Sequence, residues 1–279
     1  MVNLKTLRKT AAEKLIKSGN DSPLADIDCV LQSLGFTKND IILGTKNLDS
    51  KAFTEFSEAL NRLKSGEPVQ HIVGGCEFMS LWFNVTKDTL IPRCDTEILV
   101  EEIIDLCQNK KSVNIFEIGS GSGCIAISLA HYLPQAKVIS ADISASALAV
   151  ARDNARTLGV SDRVTFIEQD ITKGFPDLDE LPDVVVSNPP YILHSDIATL
   201  DKKVREFEPI SALDGGNDGL DFYRLISQNA ILKKGGILAF EAGINQAESI
   251  AKLMSERFTD ITIKKDLSGI DRVVTGTLN

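Results

Sequence analysis

The sequence predicts an α/β protein in which a small bundle of helices precedes a larger domain built on a mostly parallel β-sheet. After Lys111, strand and helix patterns alternate, which is typical of parallel strands joined by covering helices. Before about residue 73, apolar residues recur at helical spacing instead. A glycine-rich turn follows one buried strand at residues 119–123. We therefore expect a helical domain over residues 1–73, a linking β-hairpin over 74–92 and the α/β domain over 93–279.

The composition narrows the class of protein. Of the 279 residues, 43% are apolar and 25% are charged, as in ordinary globular proteins. The net charge of -9 argues against bulk electrostatic binding of naked nucleic acid. The five cysteines form no Cys-x-x-Cys pair and the three histidines share no metal-ligand spacing, so we expect reduced thiols and no metal site. No apolar run approaches a membrane span. We expect a cytoplasmic monomer that binds neither membranes nor nucleic acid directly.

Helical periodicity organises the first domain. Apolar residues recur at helical spacing over residues 4–16, which predicts a first helix. Ser22 as N-cap and Pro23 at the first helical position predict the start of a second helix, which ends near Gly35. A third helix is expected over Ser50–Lys64. This bundle could serve as a structural cap or could bind a partner, and the pattern does not distinguish the two roles.

Short apolar runs predict the strands that follow. Residues 76–79 and 81–85 have the pattern of a β-hairpin. The strands of the sheet are expected at residues 113–118, 137–141, 164–168, 183–187 and 236–241, with helices through residues 98–104, after Gly123, after Ser144 and over residues 221–232. A final pair at residues 261–264 and 272–277 is expected to add an antiparallel edge to this sheet.

The glycine-rich turn is a candidate cofactor site. A strand ends at Ile118, and a helix pattern opens at Cys124. Glycine permits positive φ and a close approach of the backbone to a ligand. The spacing is Gly-x-Gly-x-Gly and not the dinucleotide pattern Gly-x-Gly-x-x-Gly, and the chain has no Gly-Lys-Ser/Thr sequence of a P-loop. The candidate cofactor-binding residues of the turn are Gly119, Ser120, Gly121, Ser122 and Gly123.

Two acidic residues follow the next two strands. Asp142 ends the strand after the glycine turn, where a carboxylate can accept hydrogen bonds from both hydroxyls of a ribose. Asp170 ends the third strand, where it can meet an adenine ring, and Ile171 beside it provides apolar packing. Both aspartates also precede plausible helix starts, so helix N-capping is the alternative role for each. The carboxyl ends of parallel strands share one edge of a sheet, and ligands bind at that edge.

The tetrapeptide Asn188-Pro189-Pro190-Tyr191 follows the fourth buried strand, which ends at Ser187. The Asn side-chain oxygen and a Pro carbonyl can both accept hydrogen bonds from one NH2 group. Consecutive prolines stiffen the backbone and donate no hydrogen bonds, and a Tyr ring offers a face for stacking. These properties suit a site that orients a planar amide or a nucleobase amine. A rigid turn after a strand is the structural alternative.

Together these motifs resemble those of class I S-adenosylmethionine-dependent methyltransferases that modify planar nitrogen, and specifically the HemK/PrmC family of release factor glutamine methyltransferases. Three further stretches carry the resemblance, at residues 67–72 (Glu-Pro-Val-Gln-His-Ile), 90–97 (Leu-Ile-Pro-Arg-Cys-Asp-Thr-Glu) and 205–209 (Arg-Glu-Phe-Glu-Pro). The resemblance covers nearly the whole chain and is weakest in the helical region. Cys94 stands where the family usually has Pro, beside the expected active site.

The resemblance implies a Rossmann-like class I methyltransferase domain, with a mostly parallel seven-stranded sheet, at residues 93–279. S-adenosyl-L-methionine would be the cofactor, with S-adenosyl-L-homocysteine as its product. The implied substrate is the glutamine of the Gly-Gly-Gln motif in class I peptide chain release factors, recognised through residues 1–73. The glycine turn would admit the methionine end of the cofactor, Asp142 the ribose and Asp170 the adenine edge. Asn188 and Pro189 would accept the two amide hydrogens while Tyr191 packs on the amide plane.

Three other functions compete with this one. A DNA or RNA adenine-amine methyltransferase uses a similar Asn-Pro-Pro-Tyr pocket, but it must extract a base and follow phosphates with cations. The acidic charge balance and the lack of a dense Lys/Arg stretch weigh against it. A nicotinamide-dependent oxidoreductase would need different glycine spacing. A non-catalytic binding module with a degenerate cofactor fold would not be expected to keep the glycines, Asp142 and the tetrapeptide.

Overall fold

The computed structural model describes residues 2–279 as two compact units. The helical unit contains the residues up to Gly75 together with Asp201–Phe207, and the sheet unit contains Cys76–Leu200 and Glu208–Asn279. The α-helices are α1 (Leu4–Lys17), α2 (Pro23–Ser33), α3 (Lys38–Leu43), α4 (Ser50–Lys64), α5 (Val69–Val73), α6 (Cys94–Cys107), α7 (Cys124–Tyr132), α8 (Ala145–Thr157), α9 (Lys202–Phe207), α10 (Asp221–Asn229) and α11 (Ala247–Met254). The β-strands are β1 (Val2–Asn3), β2 (Asn47–Leu48), β3 (Gly75–Phe78), β4 (Leu81–Asn84), β5 (Val113–Ile118), β6 (Ala136–Asp142), β7 (Val164–Glu168), β8 (Val184–Ser187), β9 (Ile237–Glu241), β10 (Phe258–Lys265) and β11 (Asp271–Leu278).

The helical unit packs its helices around one apolar core. The predicted helices are present as α1, α2 and α4, which meet through buried residues such as Leu15, Leu31 and Phe56. Pro23 is the first residue of α2, as expected. Ser22 occupies the N-cap position, but its side chain makes no capping hydrogen bond, because its backbone (φ -130°, ψ 51°) departs from the extended geometry usual for an N-cap.

The short helix α9 belongs to the helical unit although it lies more than a hundred residues further along the chain. The Lys202 side chain donates a hydrogen bond from Nζ to the carbonyl oxygen of Ser65, at 2.9 Å. Ser65 is the C-cap of α4, and cations commonly bind the unpaired carbonyls at a helix C-terminus. Lys203 Nζ lies 3.9 Å from the Asp26 carboxylate on α2. The helical unit is thus assembled from two separate stretches of sequence.

The sheet unit contains a seven-stranded sheet in the order β10-β11-β9-β8-β5-β6-β7. The strands from β9 to β7 are parallel, whereas β11 pairs antiparallel with both β9 and β10. Apolar clusters cover the two faces of this sheet, and Val184, Val185 and Val186 at its centre are fully buried. The predicted mostly parallel sheet with an antiparallel C-terminal edge is therefore confirmed.

The predicted element bounds differ from the observed ones in a few places. Helix α10 ends at Asn229 and not at residue 232, because Ala230 adopts extended backbone (φ -54°, ψ 131°). Helix α11 was not predicted, although it buries Ala247, Ile250 and Met254 at helical spacing. Strands β1 and β2, which pair over only two residues, also have no recognisable sequence pattern. None of the helices in residues 2–279 combines the length and apolar character needed to cross a membrane.

Candidate active site

The carboxyl ends of four neighbouring parallel strands surround one cavity of about 340 Å³. Its wall contains residues 117–122 at the end of β5, 141–144 after β6, 169–172 after β7 and 187–190 after β8. Ligand pockets in proteins usually enclose about 300–1,000 Å³. The sheet therefore brings the glycine turn, both aspartates and the start of the Asn-Pro-Pro-Tyr tetrapeptide to a single site.

The three glycines of the turn have different surroundings. All three have positive φ, which explains the residue type at each position. A Cβ atom added to Gly121 would meet no atom within 4 Å, and Gly121 lines the cavity. A Cβ added to Gly123 would lie 2.8 Å from Ile127 Cδ1 and 3.1 Å from Ala151 Cβ, and this residue is not part of the cavity wall. Gly121 thus gives room to a ligand, whereas Gly123 allows close packing between α7 and α8.

A buried chain of hydroxyl and carboxyl groups lies beneath the turn. The Ser120 and Ser140 hydroxyls are 2.5 Å apart, and the Ser140 hydroxyl donates a short hydrogen bond to Oε2 of Glu117. Glu117 is fully buried, and burial raises the pKa of its carboxyl to about 8, with the nearby Asp142 charge adding to the effect. Its Oε1 atom has no hydrogen-bond partner among residues 2–279. The cavity wall therefore contains a carboxyl group able to receive a hydrogen-bond donor or a cation.

Asp142 ties the glycine turn to the start of α8. Its Oδ2 accepts from the Gly121 amide and its Oδ1 accepts from the Ser144 amide, both at 2.9 Å. Ser144, and not Asp142, is the N-cap of α8, since its hydroxyl accepts from Ala147. The remaining lone pairs of the half-buried carboxylate are available to hydroxyl donors in the cavity.

Asp170 combines capping with a place in the cavity wall. It is the N-cap of a 3₁₀ turn over Ile171–Lys173, and its carboxylate accepts from the amide and the hydroxyl of Thr172. These bonds, the hydroxyl contact first, lower the pKa of Asp170. Ile171 beside it is buried and lines the same cavity. The position of Asp170 is thus compatible both with N-capping and with contact to an adenine ring.

The structure separates the members of the tetrapeptide. Asn188, Pro189 and Pro190 line the cavity, but Tyr191 does not. The Tyr191 ring packs among apolar residues of the sheet unit, and its Cδ2 lies 2.9 Å from the position of a Cβ added to Gly243. Gln246 donates a hydrogen bond from Nε2 to the Tyr191 carbonyl oxygen at 3.0 Å. The geometry therefore shows Tyr191 anchoring the loop and places its ring outside the wall of the cavity.

Two further residues support Asn188 and were missed at the level of sequence. Asn188 Nδ2 donates to Oγ1 of Thr96, near the start of α6, at 3.2 Å. Glu241 ends β9, is 1% exposed and faces the side chains of Thr96 and Asn188 as a hydrogen-bond acceptor. An acidic residue at the end of an otherwise apolar central strand was the signal that could have identified Glu241.

An ion pair between the half-exposed Arg93 and the buried Glu208 shapes the rim of the cavity. Arg93 lines the cavity, and its Nη2 lies 2.5 Å from Oε1 of Glu208. Oε2 of the same carboxylate accepts a hydrogen bond from the Ile91 amide at 3.0 Å. Glu208 thereby holds the loop before α6 in place. Glu208 carried no recognisable role in the sequence beyond the resemblance of its stretch.

Two family models match the chain. A model described as the PrmC N-terminal domain matches residues 6–74. A model described as a methyltransferase domain matches residues 109–270. Together these matches cover most of the helical region and most of the sheet unit.

Curated relatives match over most of their length. The chain is 36% identical over 269 residues to the release factor glutamine methyltransferase of Clostridium acetobutylicum, with 94% of each chain covered. It is 38% identical over 276 residues to the protein of the same name from Moorella thermoacetica, with 96% of each chain covered. Identity to the Geobacter sulfurreducens protein of that name is 46% over 215 residues, which covers 76% of this chain and 74% of the relative.

Solved structures agree in fold. The hMettl16 catalytic domain, solved in complex with an RNA hairpin, matches with a TM-score of 0.56 at 14% identity and covers 84% of each chain. A methyltransferase from Pyrococcus furiosus matches with a TM-score of 0.52 at 15% identity, over 82% of this chain and 98% of that one. At such low identity the likeness concerns the fold alone.

Proposed function

The chain belongs to the release factor glutamine methyltransferase family, and we propose that the cavity at the carboxyl edge of its sheet is the active site. The enzyme transfers a methyl group from S-adenosylmethionine to the side-chain amide nitrogen of a release factor glutamine. The observation that carries the site assignment is that Asn188 lines the same cavity as Gly121 and Asp142. The proposed target is the glutamine of the Gly-Gly-Gln motif in class I release factors.

The residues of the cavity fit S-adenosylmethionine. Gly121 leaves space for a ligand beside the turn, and the unpartnered Oε1 of Glu117 suits a cationic amino group. Asp142 retains lone pairs for the hydroxyls of a ribose, and Asp170 with Ile171 offers a polar and an apolar contact to an adenine. When bound, the cofactor supplies an electrophilic methyl group carried on a sulfonium. Ser120 and Ser122 are buried within the turn and line the cavity, whereas Gly123 supports the turn through close packing.

The tetrapeptide supplies the chemistry on the substrate side. An amide nitrogen is a poor nucleophile because its lone pair is delocalised into the carbonyl. The Asn188 side-chain oxygen and the Pro189 carbonyl accept the two hydrogens of the substrate amide. These acceptors orient the nitrogen and stabilise the positive charge that develops on it. Pro190 keeps the backbone rigid, and Tyr191 anchors the loop from behind. The proton leaves to water after transfer.

The adenine-amine methyltransferase alternative is not favoured. The named relatives are release factor glutamine methyltransferases over most of the chain, and the net charge of -9 is unsuited to following phosphates. The likeness to hMettl16 concerns the shared fold only. We propose that the helical unit recognises the release factor and that the protein acts as a cytoplasmic monomer without direct nucleic-acid or membrane binding.

A labelling experiment tests the proposed function. The protein is incubated with methyl-labelled S-adenosylmethionine and a purified class I release factor, beside its Gly-Gly-Gln→Gly-Gly-Ala variant and plain duplex DNA. We expect label on the unaltered release factor only. Label on the alanine variant would refute the assigned target residue, and label on DNA would support the adenine-amine alternative instead.

A further inference from the structure

The Asn188 side-chain amide can turn either its oxygen or its NH2 group toward the substrate. Only the orientation with the oxygen toward the substrate can bind a substrate NH2 group. The oxygen accepts hydrogen bonds, whereas the NH2 group only donates and would repel the substrate amide hydrogens. The two orientations have nearly the same shape, so packing alone does not choose between them. Something in the protein must therefore hold the Asn188 NH2 group away from the substrate.

The environment behind Asn188 consists of hydrogen-bond acceptors. Nδ2 of Asn188 donates to the Thr96 hydroxyl oxygen at 3.2 Å, and the Glu241 carboxyl faces both side chains. Thr96 is 2% exposed and Glu241 is 1% exposed, so water competes little for these contacts. Oε2 of Glu241 is buried without a hydrogen-bond partner in the part of the chain that the structure describes. A buried carboxylate in this position attracts NH2 hydrogens and repels the Asn188 oxygen.

We propose that Glu241 and Thr96 are positioning residues that hold the Asn188 NH2 group toward the protein interior and its oxygen toward the substrate amide. The proposal rests on the function assigned above. The negative charge of Glu241 also polarises the Asn188 amide, because hydrogen bonds in a chain strengthen one another. The Asn188 oxygen then becomes a better acceptor for the substrate NH2 group as positive charge develops there.

The proposed role depends on the protonation state of Glu241. Burial raises the pKa of this carboxyl to about 7, while the Thr96 contact and the Arg272 charge favour the ionised form. When protonated, Glu241 can donate a hydrogen bond and thus tolerate the unproductive orientation of Asn188. The charged and titratable groups that face Glu241 are Arg272 on β11, Asp95 on α6, Tyr191 after β8, Tyr223 on α10 and Cys124 on α7. Burial raises the pKa of both tyrosines and of Cys124, to about 12 for Tyr191, so none of the three ionises near neutral pH.

Two near-isosteric substitutions test the roles separately. Glu241→Gln removes the charge, and Thr96→Val removes the bridging hydroxyl. Glu248→Gln is the matched control, since Glu248 is an exposed carboxylate on the neighbouring helix α11. For each protein we would measure kcat and KM for release factor between about pH 6 and pH 8.5, the Kd for S-adenosylmethionine by calorimetry, and the melting temperature.

The wild-type kcat is expected to rise through about pH 7 and then to level off. In Glu241→Gln, kcat falls by about 10-fold to 100-fold, as when a residue that orients a metal ligand is lost, and the pH-dependent rise disappears. Thr96→Val lowers kcat but keeps the rise. KM, cofactor Kd and melting temperature stay close to wild type. Unchanged kcat and pH profile in Glu241→Gln would refute the proposal, and a parallel loss of cofactor affinity and melting temperature would show a merely structural role.

A spectroscopic measurement separates this proposal from the proposed function. The Asn188 side-chain NH2 signal is identified in a ¹⁵N-correlated NMR spectrum by its loss in Asn188→Ala. We expect this signal to exchange slowly with water and to shift with pH through about 7 in the wild type but not in Glu241→Gln. A signal that exchanges rapidly and ignores pH refutes the positioning role whether or not the protein methylates release factor. An inert wild-type enzyme with the expected NMR behaviour would instead refute the proposed function alone.

Discussion

At the residue scale, the proposed chemistry depends most on Asn188. It is the residue of the tetrapeptide that lines the cavity and also donates a side-chain hydrogen bond to Thr96 on a distant helix. Tyr191 lies outside the cavity wall, so its contribution is to the shape of the loop. In the proposed mechanism, Asn188 and the Pro189 carbonyl contact the substrate amide, the two prolines keep the backbone stiff, and Tyr191 anchors the loop.

Substitution of Asn188 tests the role assigned to its side chain. Asn188→Ala removes the side-chain acceptor while leaving the cofactor side of the cavity intact. We expect kcat to fall by about 10²-fold to 10³-fold, as when one donor of an oxyanion hole is removed, with little change in the Kd for S-adenosylmethionine. Single-turnover methylation and calorimetry on the same preparation provide the comparison. Wild-type turnover in this variant would refute the assigned role.

The buried carboxyl of Glu117 should make the stability of the cofactor-free protein depend on pH. Because burial raises the pKa of Glu117 to about 8, the folded protein binds this proton more tightly than the unfolded chain does. The contribution of this group to stability is therefore fully present below the ordinary pKa of 4.5 and is lost as pH rises through about 8.

We expect the free energy of unfolding in urea to fall between about pH 4.5 and pH 8, the ordinary and the raised pKa of this carboxyl, with a slope from Glu117 of at most ~1.4 kcal/mol per pH unit. Glu117→Gln should flatten this dependence. Glu168→Gln, an exposed carboxylate at the end of β7, should leave the wild-type slope unchanged. A Glu117→Gln protein with the full wild-type slope would contradict the assignment.

At the scale of elements, the site is built from strand ends and the loops that follow them. Helix starts with standard capping residues and strands with continuous apolar runs were predictable, because each pattern reflects the residue's immediate neighbours along the chain. Helix α11 was missed because its eight residues present only three buried positions. The loop before α6 was recognised only through resemblance, since its geometry depends on Glu208, more than a hundred residues away.

Glu208 offers a test of this loop. Glu208→Ala leaves the Ile91 amide without its acceptor and removes the ion pair of Arg93. We expect a loss of about 1–3 kcal/mol in the free energy of unfolding, the cost of a buried polar group left unpaired, together with reduced activity. Urea denaturation measures the first effect. Glu206→Ala, two residues earlier and more exposed, should change stability little; an equal loss in both variants would contradict the specific role of Glu208.

At the scale of the whole molecule, the helical unit and the sheet unit have separate cores. The cavity and all its proposed catalytic groups belong to the sheet unit. If the helical unit recognises the release factor, its loss should slow methylation of whole release factor more than methylation of a short peptide carrying Gly-Gly-Gln.

Deletion of residues 1–73 tests that role. We expect the truncated protein to bind S-adenosylmethionine nearly as well as the full chain but to methylate whole release factor much more slowly. Its rate on a Gly-Gly-Gln peptide should fall less. Calorimetry gives the Kd for the cofactor, and label transfer gives the methylation rates on whole release factor and on the peptide. An undiminished rate on whole release factor would mean that the helical unit is only structural.

The sequence by itself determined the strands of the large sheet, most of the helices that cover it, the glycine turn, the two aspartates and the Asn-Pro-Pro-Tyr loop, because each depends on neighbouring residues. Only the tertiary structure decided which residues support Asn188. Thr96 lies 92 residues away along the chain, and Glu241 arrives on a strand that pairs with β8. The same holds for α9, which joins the helical unit through Lys202 and Lys203. Such contacts form only when distant parts of the chain pack together, and a local pattern carries no information about them.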